Sequence, residues 1–247
     1  MAMYARLIGR VDDARTTALS LNDIGPVMEW YGALECYLGG AYYLRNAAAF
    51  RNAVTAHQHL VSWIVRRFDP VPGDLLTDLC LSLIHGPAPI RRMLVAAILT
   101  HGETIDDDDT SGLLARILAA TSDLDQTLAI REANRLLHAC LDRRYARQDT
   151  RILMAFAVTA LRLNTADIAR LPAGLTKMDA ARRALVASEL SRMRHGRSTA
   201  ISATNLIDLP GAALAAIVKS RAARTARAQL PDTVFLDHQW MARAGWV

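Results

Sequence analysis

Arginines that could hold phosphate groups are concentrated in the C-terminal half of this 247-residue chain. Residues 182–227 carry nine cations against Glu189 and Asp208, a net charge of +7, whereas the whole chain has a formal charge of +5. A guanidinium donates paired hydrogen bonds to phosphate oxygens, so this cluster favours binding to a nucleic-acid backbone. One competing interpretation is that these cations only solvate a surface and complement helix dipoles. Another is that they contact an anionic membrane surface. The predicted phosphate contacts are Arg182, Arg183, Arg192, Arg194, Arg197, Lys219, Arg221, Arg224 and Arg227.

The sign of the charge changes at an acidic run over residues 106–109. Residues 1–110 have a net charge of −4, and residues 111–247 have a net charge of +9. The sequence therefore predicts an acidic helical half over residues 1–105 and a basic helical half over 111–230, packed together; one single domain is the alternative. Residues 231–247 are predicted to be an apolar tail that docks on the body of the protein or on a neighbouring subunit, because large apolar groups are seldom left in water. Phe235, Trp240, Met241 and Trp246 are the predicted subunit contacts.

The acidic run resembles the aspartate-rich Mg²⁺-diphosphate motif of isoprenoid synthases. That motif needs carboxylates four residues apart on one helix face and a second acidic motif on a facing helix. The residue four positions after Asp106 is Thr110, and no second motif is present. The run is therefore predicted to be a solvated loop, with a weak Ca²⁺ or Mg²⁺ contact as the alternative.

The histidines do not have the spacing of a zinc site. His57 and His59 are two residues apart and face different directions on a helix, whereas helical zinc ligands are four apart. His57 falls on an apolar stripe and is predicted to be a core residue with its hydrogen bonds satisfied. No nucleophile motif, P-loop or dinucleotide-binding motif occurs. We therefore predict a protein that is not an enzyme and uses no metal or cofactor.

The apolar residues recur with the period of a helix. Phe50, Val54, His57, Val61 and Ile64 are spaced by 4, 3, 4 and 3, and no run of alternating β-branched residues of useful length appears. The chain is predicted to be all-α: a globular bundle of about ten helices with no significant sheet, around a central apolar helix at residues 152–161. The predicted N-caps include Ser111, Ser122, Thr176 and Asp208.

A helix-turn-helix at residues 164–176 is an alternative for part of the basic half. Its first helix would start at Asn164, its turn would be Pro172–Leu175, and its recognition helix would begin at Thr176. Proline and glycine in this turn fit an ordinary loop equally well. The sequence of this segment therefore does not distinguish a helix-turn-helix from an ordinary loop.

The cysteines and the N-terminal residues indicate the cellular compartment of the protein. Cys36, Cys80 and Cys140 lie in apolar helical patterns and are predicted to be reduced and buried. The first residues lack the apolar stretch of a signal peptide. These features predict a protein that is cytoplasmic or inside an assembled particle, with no insertion into a membrane.

The leading functional hypothesis is a self-associating, non-enzymatic helical protein of nucleoprotein or coat type. It would bind nucleic-acid backbone with little sequence preference and form a homo-oligomer. One alternative is an adaptor or scaffold subunit of a larger bacterial or viral assembly, whose basic helices meet an acidic partner. Another is a helical regulator or enzyme that binds a small molecule.

Overall fold

The structure, a computed structural model, describes residues 13, 16–17, 20, 23, 25–43, 45–101, 105–106, 108–142, 147–195 and 208–221. Within these ranges the chain is helical and has no strand, which confirms the all-α prediction. The elements are α1 (Gly25–Tyr43), α2 (Ala47–Arg67), a 3-10 turn (Pro72–Leu75), α3 (Leu76–His85), α4 (Ala88–Thr100), α5 (Thr110–Ser122), α6 (Gln126–Leu141), α7 (Arg147–Asn164), a second 3-10 turn (Ile168–Arg170), α8 (Leu171–Arg194) and α9 (Leu209–Arg221).

Carboxylates cap several helices by accepting hydrogen bonds from backbone N–H groups of the first turn. Asp109 accepts from the backbone of Gly112 at 2.9 Å and begins α5, so the end of the acidic run is a helix cap. Asp125 begins α6 in the same way. The predicted caps Ser111 and Ser122 are wrong, because each lies inside α5 and a nearby carboxylate takes the capping position. A charged acceptor makes the stronger hydrogen bond.

Two further predicted N-caps, Asp208 and Thr176, had opposite outcomes. Asp208 accepts from the backbone of Gly211 at 3.0 Å and begins α9, as predicted. Thr176 is not a cap, because α8 already begins at Leu171 and the Thr176 hydroxyl donates to the carbonyl of Pro172 within the helix. Proline is tolerated in a first helical turn, where its missing N–H would have no partner.

The most enclosed helix is α5, whose positions 112–115 and 117–121 are all buried. It packs against the first 3-10 turn and against α3, α4, α6, α7 and α9. The predicted central segment, 152–161, lies in α7. There Leu153, Phe156 and Ala160 are buried, but Ile152 and Leu161 are only half-buried. These exposures do not support a helix enclosed on all sides at 152–161, and α5 occupies the enclosed place among the described helices.

Both halves of the chain contribute to one apolar core. It contains Leu38 and Phe50 from the acidic half and Leu163, Leu214 and Val218 from the basic half. The division of the chain at the acidic loop remains a prediction. Cys80 and Cys140 are buried and form no disulfide, as predicted, and burial raises the pKa of Cys140 to about 11. None of the helices in the described ranges is both long and apolar enough to cross a membrane.

The α7–α8 pair depends on a close approach at Gly174. A Cβ built on Gly174 would lie 2.6 Å from the Thr159 Oγ1 on α7. Gly174→Ala is therefore expected to lower the free energy of unfolding by about 1–3 kcal/mol, because overpacking forces the helices apart. Urea denaturation of the variant and the wild type measures this change.

Gly32 provides the matched control for this prediction. Among the described residues, and apart from its chain neighbours and the backbone of its own helix, no atom lies within 4 Å of a Cβ built on Gly32 in the middle of α1. Gly32→Ala should raise the free energy of unfolding by up to about 1 kcal/mol, because alanine favours a helix. Equal shifts in the two variants would contradict the close contact of α7 and α8.

Candidate nucleic-acid interface

The helix α8 buries one side and exposes the other. Leu171, Leu175, Met178 and Leu185 are buried at helical spacing. Seven of its exposed positions recur at spacings of 4, 3, 4, 3, 4 and 3, so they form one stripe along the helix. The stripe consists of Ala173, Lys177, Ala180, Ala184, Ala187, Ser191 and Arg194.

Cations stand at both ends of this stripe and beside it. Lys177, Arg183, Arg192 and Arg194 are all exposed. The Nε of Arg183 donates to the Asp179 carboxylate at 2.6 Å, so part of its charge is neutralised within the helix. At the end of the helix, the Nδ1 of His195 lies 2.7 Å from the carbonyl of Ser191, in the position expected of a histidine near a helix C-terminus. Arg192 and Arg194 are the exposed cations of the last turn of α8.

Arg182 faces the protein rather than water. It is half-buried, and its charge acts on the buried carboxyl of Asp208, the N-cap of α9. Burial raises the pKa of Asp208, while Arg182 and the Gly211 N–H oppose that effect. This arrangement ties the middle of α8 to the start of α9. A structural role accounts for Arg182.

Arg221 also makes a contact within the protein. It is half-buried, and its Nη2 donates a hydrogen bond to the Thr121 carbonyl at the C-terminal end of α5. Burial lowers the pKa of Arg221. The hydroxyl of Thr121 in turn accepts from the Asn164 side chain at 3.0 Å. Arg221 thus satisfies a helix-end carbonyl, a role that the sequence analysis did not assign to it.

The predicted phosphate contacts form two groups, one that includes Arg192 on α8 and one that includes Arg221 on α9. These two groups lie at different ends of the bundle. Arg221 is next to Thr121, which contacts Asn164 at the end of α7, and α8 begins soon afterwards at Leu171. Twenty-one residues of α8 then separate Leu171 from Arg192, a rise of about 30 Å. Lys219, which is half-buried, shares the Arg221 end. The structure therefore does not join these two groups into one surface.

The remaining predicted contacts lie outside the described residues. These are Arg197, Arg224 and Arg227 for phosphate, and Phe235, Trp240, Met241 and Trp246 for subunit contact. Three exposed cations of the α7–α8 pair were not among the predicted contacts: Arg151, Arg170 and Lys177. They fall outside the span 182–227, where the charge is most one-sided, and Arg170 pairs with Asp167 at 3.6 Å.

The helix-turn-helix alternative is wrong. Pro172–Leu175, its proposed turn, forms the first turn of the continuous helix α8. A 3-10 turn at Ile168–Arg170 links α7 and α8 instead.

The charge of the α7–α8 pair is the clearest electrostatic feature of the site. Residues 147–195 carry nine basic and four acidic side chains, a net charge of +5. This equals the formal charge of the whole chain, so the rest of the sequence is neutral in sum. Among the described residues, no group of three or more His, Cys, Asp or Glu side chains could hold a metal ion. Comparison of the chain with protein-family models, curated proteins and solved structures gave no match.

Proposed function

We propose that the chain binds nucleic-acid backbone along the α7–α8 pair, as a non-enzymatic and self-associating protein. The observation that carries the proposal is the net charge of +5 on residues 147–195, with Lys177, Arg192 and Arg194 exposed. Duplex DNA carries one negative charge for about every 1.7 Å of its axis, so an extended basic helix face releases counterions when it binds.

The shape of the α8 stripe supports contact with phosphates. Between Lys177 and Arg194, a rise of about 25 Å, the stripe has only alanine and serine side chains, which allow close approach of a partner. The whole of α8 contains no aromatic residue, so base stacking is not part of the proposal. Binding through backbone phosphates gives little sequence preference.

The proposal predicts that Arg192→Gln combined with Arg194→Gln weakens binding about tenfold or more in low salt. Loss of two phosphate contacts should also reduce the slope of log affinity against log salt by about 2. The measurement is fluorescence anisotropy with a labelled 30-base-pair duplex and a single-stranded RNA of equal length, over a series of salt concentrations.

Arg66 and Arg67 provide the matched control. Both are exposed and lie in the last turn of α2, as Arg192 and Arg194 lie in the last turn of α8. Arg66→Gln combined with Arg67→Gln removes the same charge from the same position in a helix and should leave binding nearly unchanged. Equal weakening by the two double variants would show that net charge alone acts, and would reject the α8 surface.

An acidic protein partner is the competing outcome of the same experiment. If labelled polyglutamate binds and both nucleic acids do not, the basic face serves protein association and the proposal fails. Self-association rests on the sequence, because Phe235, Trp240, Met241 and Trp246 lie outside the described residues. Sedimentation velocity of the wild type and of Trp240→Ala combined with Trp246→Ala tests it, with a smaller particle expected for the variant.

A further inference from the structure

Two neighbouring turns lie at the end of the bundle where α5 and α7 finish. The Asn164 side chain, at the end of α7, donates to the Thr121 hydroxyl, near the end of α5, at 3.0 Å. The turn at 123–125 follows α5 and the turn at 165–170 follows α7, so both turns lie at this end. Arg221, the last residue of α9, contacts the Thr121 carbonyl. Three helices therefore finish together here.

Each of the two turns contains a residue other than glycine in the left-handed region of backbone conformation. Leu124 has a φ of 67° and Ala166 has a φ of 58°. Each closes its helix in a Schellman motif, in which Asp125 and Asp167 donate their N–H groups to carbonyls five residues earlier, at 3.0 and 2.9 Å. Glycine is the usual residue at this position, because a Cβ makes the left-handed region costly. Both turns thus keep a side chain where the backbone favours none.

The side chain kept at Leu124 is large, apolar and exposed. Four large apolar side chains are exposed among the described residues, and two of them lie at this end: Leu124 at 66% and Ile168 at 49%. The leucine therefore costs both backbone strain and contact with water in the isolated chain. Backbone strain of this kind is concentrated at sites of binding. Leu124 and Ile168 are accordingly candidates for contact with another molecule.

Charges of both signs lie beside the two apolar side chains. Asp123 and Asp125 are exposed on either side of Leu124, and Arg170 is exposed two residues after Ile168. The Arg170 Nη1 lies 3.6 Å from a carboxylate of its own turn, but 73% of the Arg170 side chain is exposed. A contact between two identical copies needs a patch that is complementary to itself. One turn supplies anions and the other a cation, so each turn suits the opposite turn of a second copy.

We propose that this end of the bundle is the contact between two copies of the chain related by a two-fold axis. In the pair, Leu124 packs beside Ile168 of the partner subunit, and Asp123 faces Arg170 of the partner subunit. The inference rests on the self-association in the proposed function and names the surface that carries it. The sequence also continues from Arg221, at this same end, into the segment with the predicted subunit contacts.

Other partners suit this surface less well. Nucleic acid and anionic membranes both carry negative charge, and the exposed carboxylates of Asp123 and Asp125 flank Leu124. These carboxylates repel a negatively charged partner at the point where the apolar side chain would make its contact. A second copy instead brings its own Arg170 to them.

Leu124→Gly separates the contact from the stability of the fold. Glycine adopts a positive φ at little cost, so the melting temperature in dilute solution should not fall. The substitution also removes the apolar contact, so the dissociation constant of the pair should increase about tenfold or more. Sedimentation velocity over a series of protein concentrations measures association, and calorimetry at the lowest concentration measures the melting temperature.

Ala166→Gly is the matched control. It relieves the same backbone strain in the neighbouring turn but removes no large apolar side chain. Its melting temperature should also not fall, and it should associate as strongly as the wild type. Equal weakening of association by the two glycine variants would contradict the contact at Leu124.

An exchange of charges tests the two-fold arrangement. Asp123→Lys places a cation opposite Arg170 of the partner subunit, and Arg170→Glu places an anion opposite Asp123. Each variant alone should therefore associate more weakly than the wild type. An equimolar mixture of the two should recover association, because every contact again joins opposite charges. If the mixture associates no better than its components, the proposed pair is wrong.

Failure of this contact can be distinguished from failure of the proposed function. A wild type that stays monomeric at every concentration overturns both the contact and self-association, whereas anisotropy with the labelled duplex reports nucleic-acid binding independently. If Leu124→Gly associates as strongly as the wild type, the contact alone is overturned. Vesicles of equal parts phosphatidylcholine and phosphatidylserine test a membrane role. Binding of the wild type but not of Leu124→Gly to them, without self-association of either protein, rejects the proposal.

Discussion

Leu118→Ala is expected to lower the free energy of unfolding by about 2–5 kcal/mol, one of the largest losses available from a single aliphatic side chain. Leu118 lies in the middle of α5 and its side chain is fully buried. Because α5 packs against helices on all sides, neighbouring side chains cannot collapse into the cavity without moving several elements. Urea denaturation with the same slope in both proteins measures the change.

Leu124 provides a control six residues further along the chain. It lies in the turn between α5 and α6, and 66% of its surface is exposed. Leu124→Ala removes the same atoms and should change the free energy of unfolding by less than about 0.5 kcal/mol. If the two variants lost equal stability, α5 would not be the enclosed helix of the core.

The helices could be predicted from the sequence because their periodicity is local. The spacing of Phe50, Val54 and Val61 identified α2, and the Asp208 cap identified the start of α9. The N-cap of α5 was harder to predict, because Asp109 and Ser111 can both accept a hydrogen bond from a first-turn N–H group. Only the geometry of the folded turn selects Asp109. The enclosed helix was also not evident, because apolar density in 152–161 exceeds that of α5.

Buried small residues accompany the enclosure of α5. Ala115, Ala119, Ala120 and Thr121 are all buried and allow neighbouring helices to approach α5 from several sides. A hydrophobic pattern does not report this property, because alanine and threonine contribute little to it. Enclosure depends on how closely other helices pack, which is set by contacts distant in sequence.

The exposure of the predicted phosphate contacts could be inferred from the sequence only in part, for the same reason. The clustering of cations in the sequence located Arg192 and Arg194, which are exposed. It did not distinguish them from Arg221, whose partner Thr121 is 100 residues away in the sequence. The approach of Asp78 to His57, at 3.7 Å, was hidden in the same way, because the two residues belong to different helices.

The combination of Arg131→Met and Arg135→Met is expected to lower the free energy of unfolding by about 3–5 kcal/mol. Both arginines serve the fully buried carboxylate of Glu132 on α6. Its Oε1 accepts from Arg131 at 2.8 Å and its Oε2 accepts from Arg135 at 2.7 Å. Removal of both cations leaves a buried charge without compensation, and the cost of that charge exceeds what an exposed ion pair contributes.

Replacement of the carboxylate instead, by Glu132→Met, should lower the free energy of unfolding by less than the double arginine variant does. The side chains of Arg131 and Arg135 are 63% and 33% exposed, so both can return their charge to water when the carboxylate is absent. Arg135 also keeps its hydrogen bond to the Ile105 carbonyl, which joins α6 to the segment before α5. The triple methionine variant should therefore recover most of the stability that the double variant loses. A double variant no less stable than Glu132→Met would contradict the dependence of the buried carboxylate on its two cations, because the asymmetry follows from burial of the carboxylate alone.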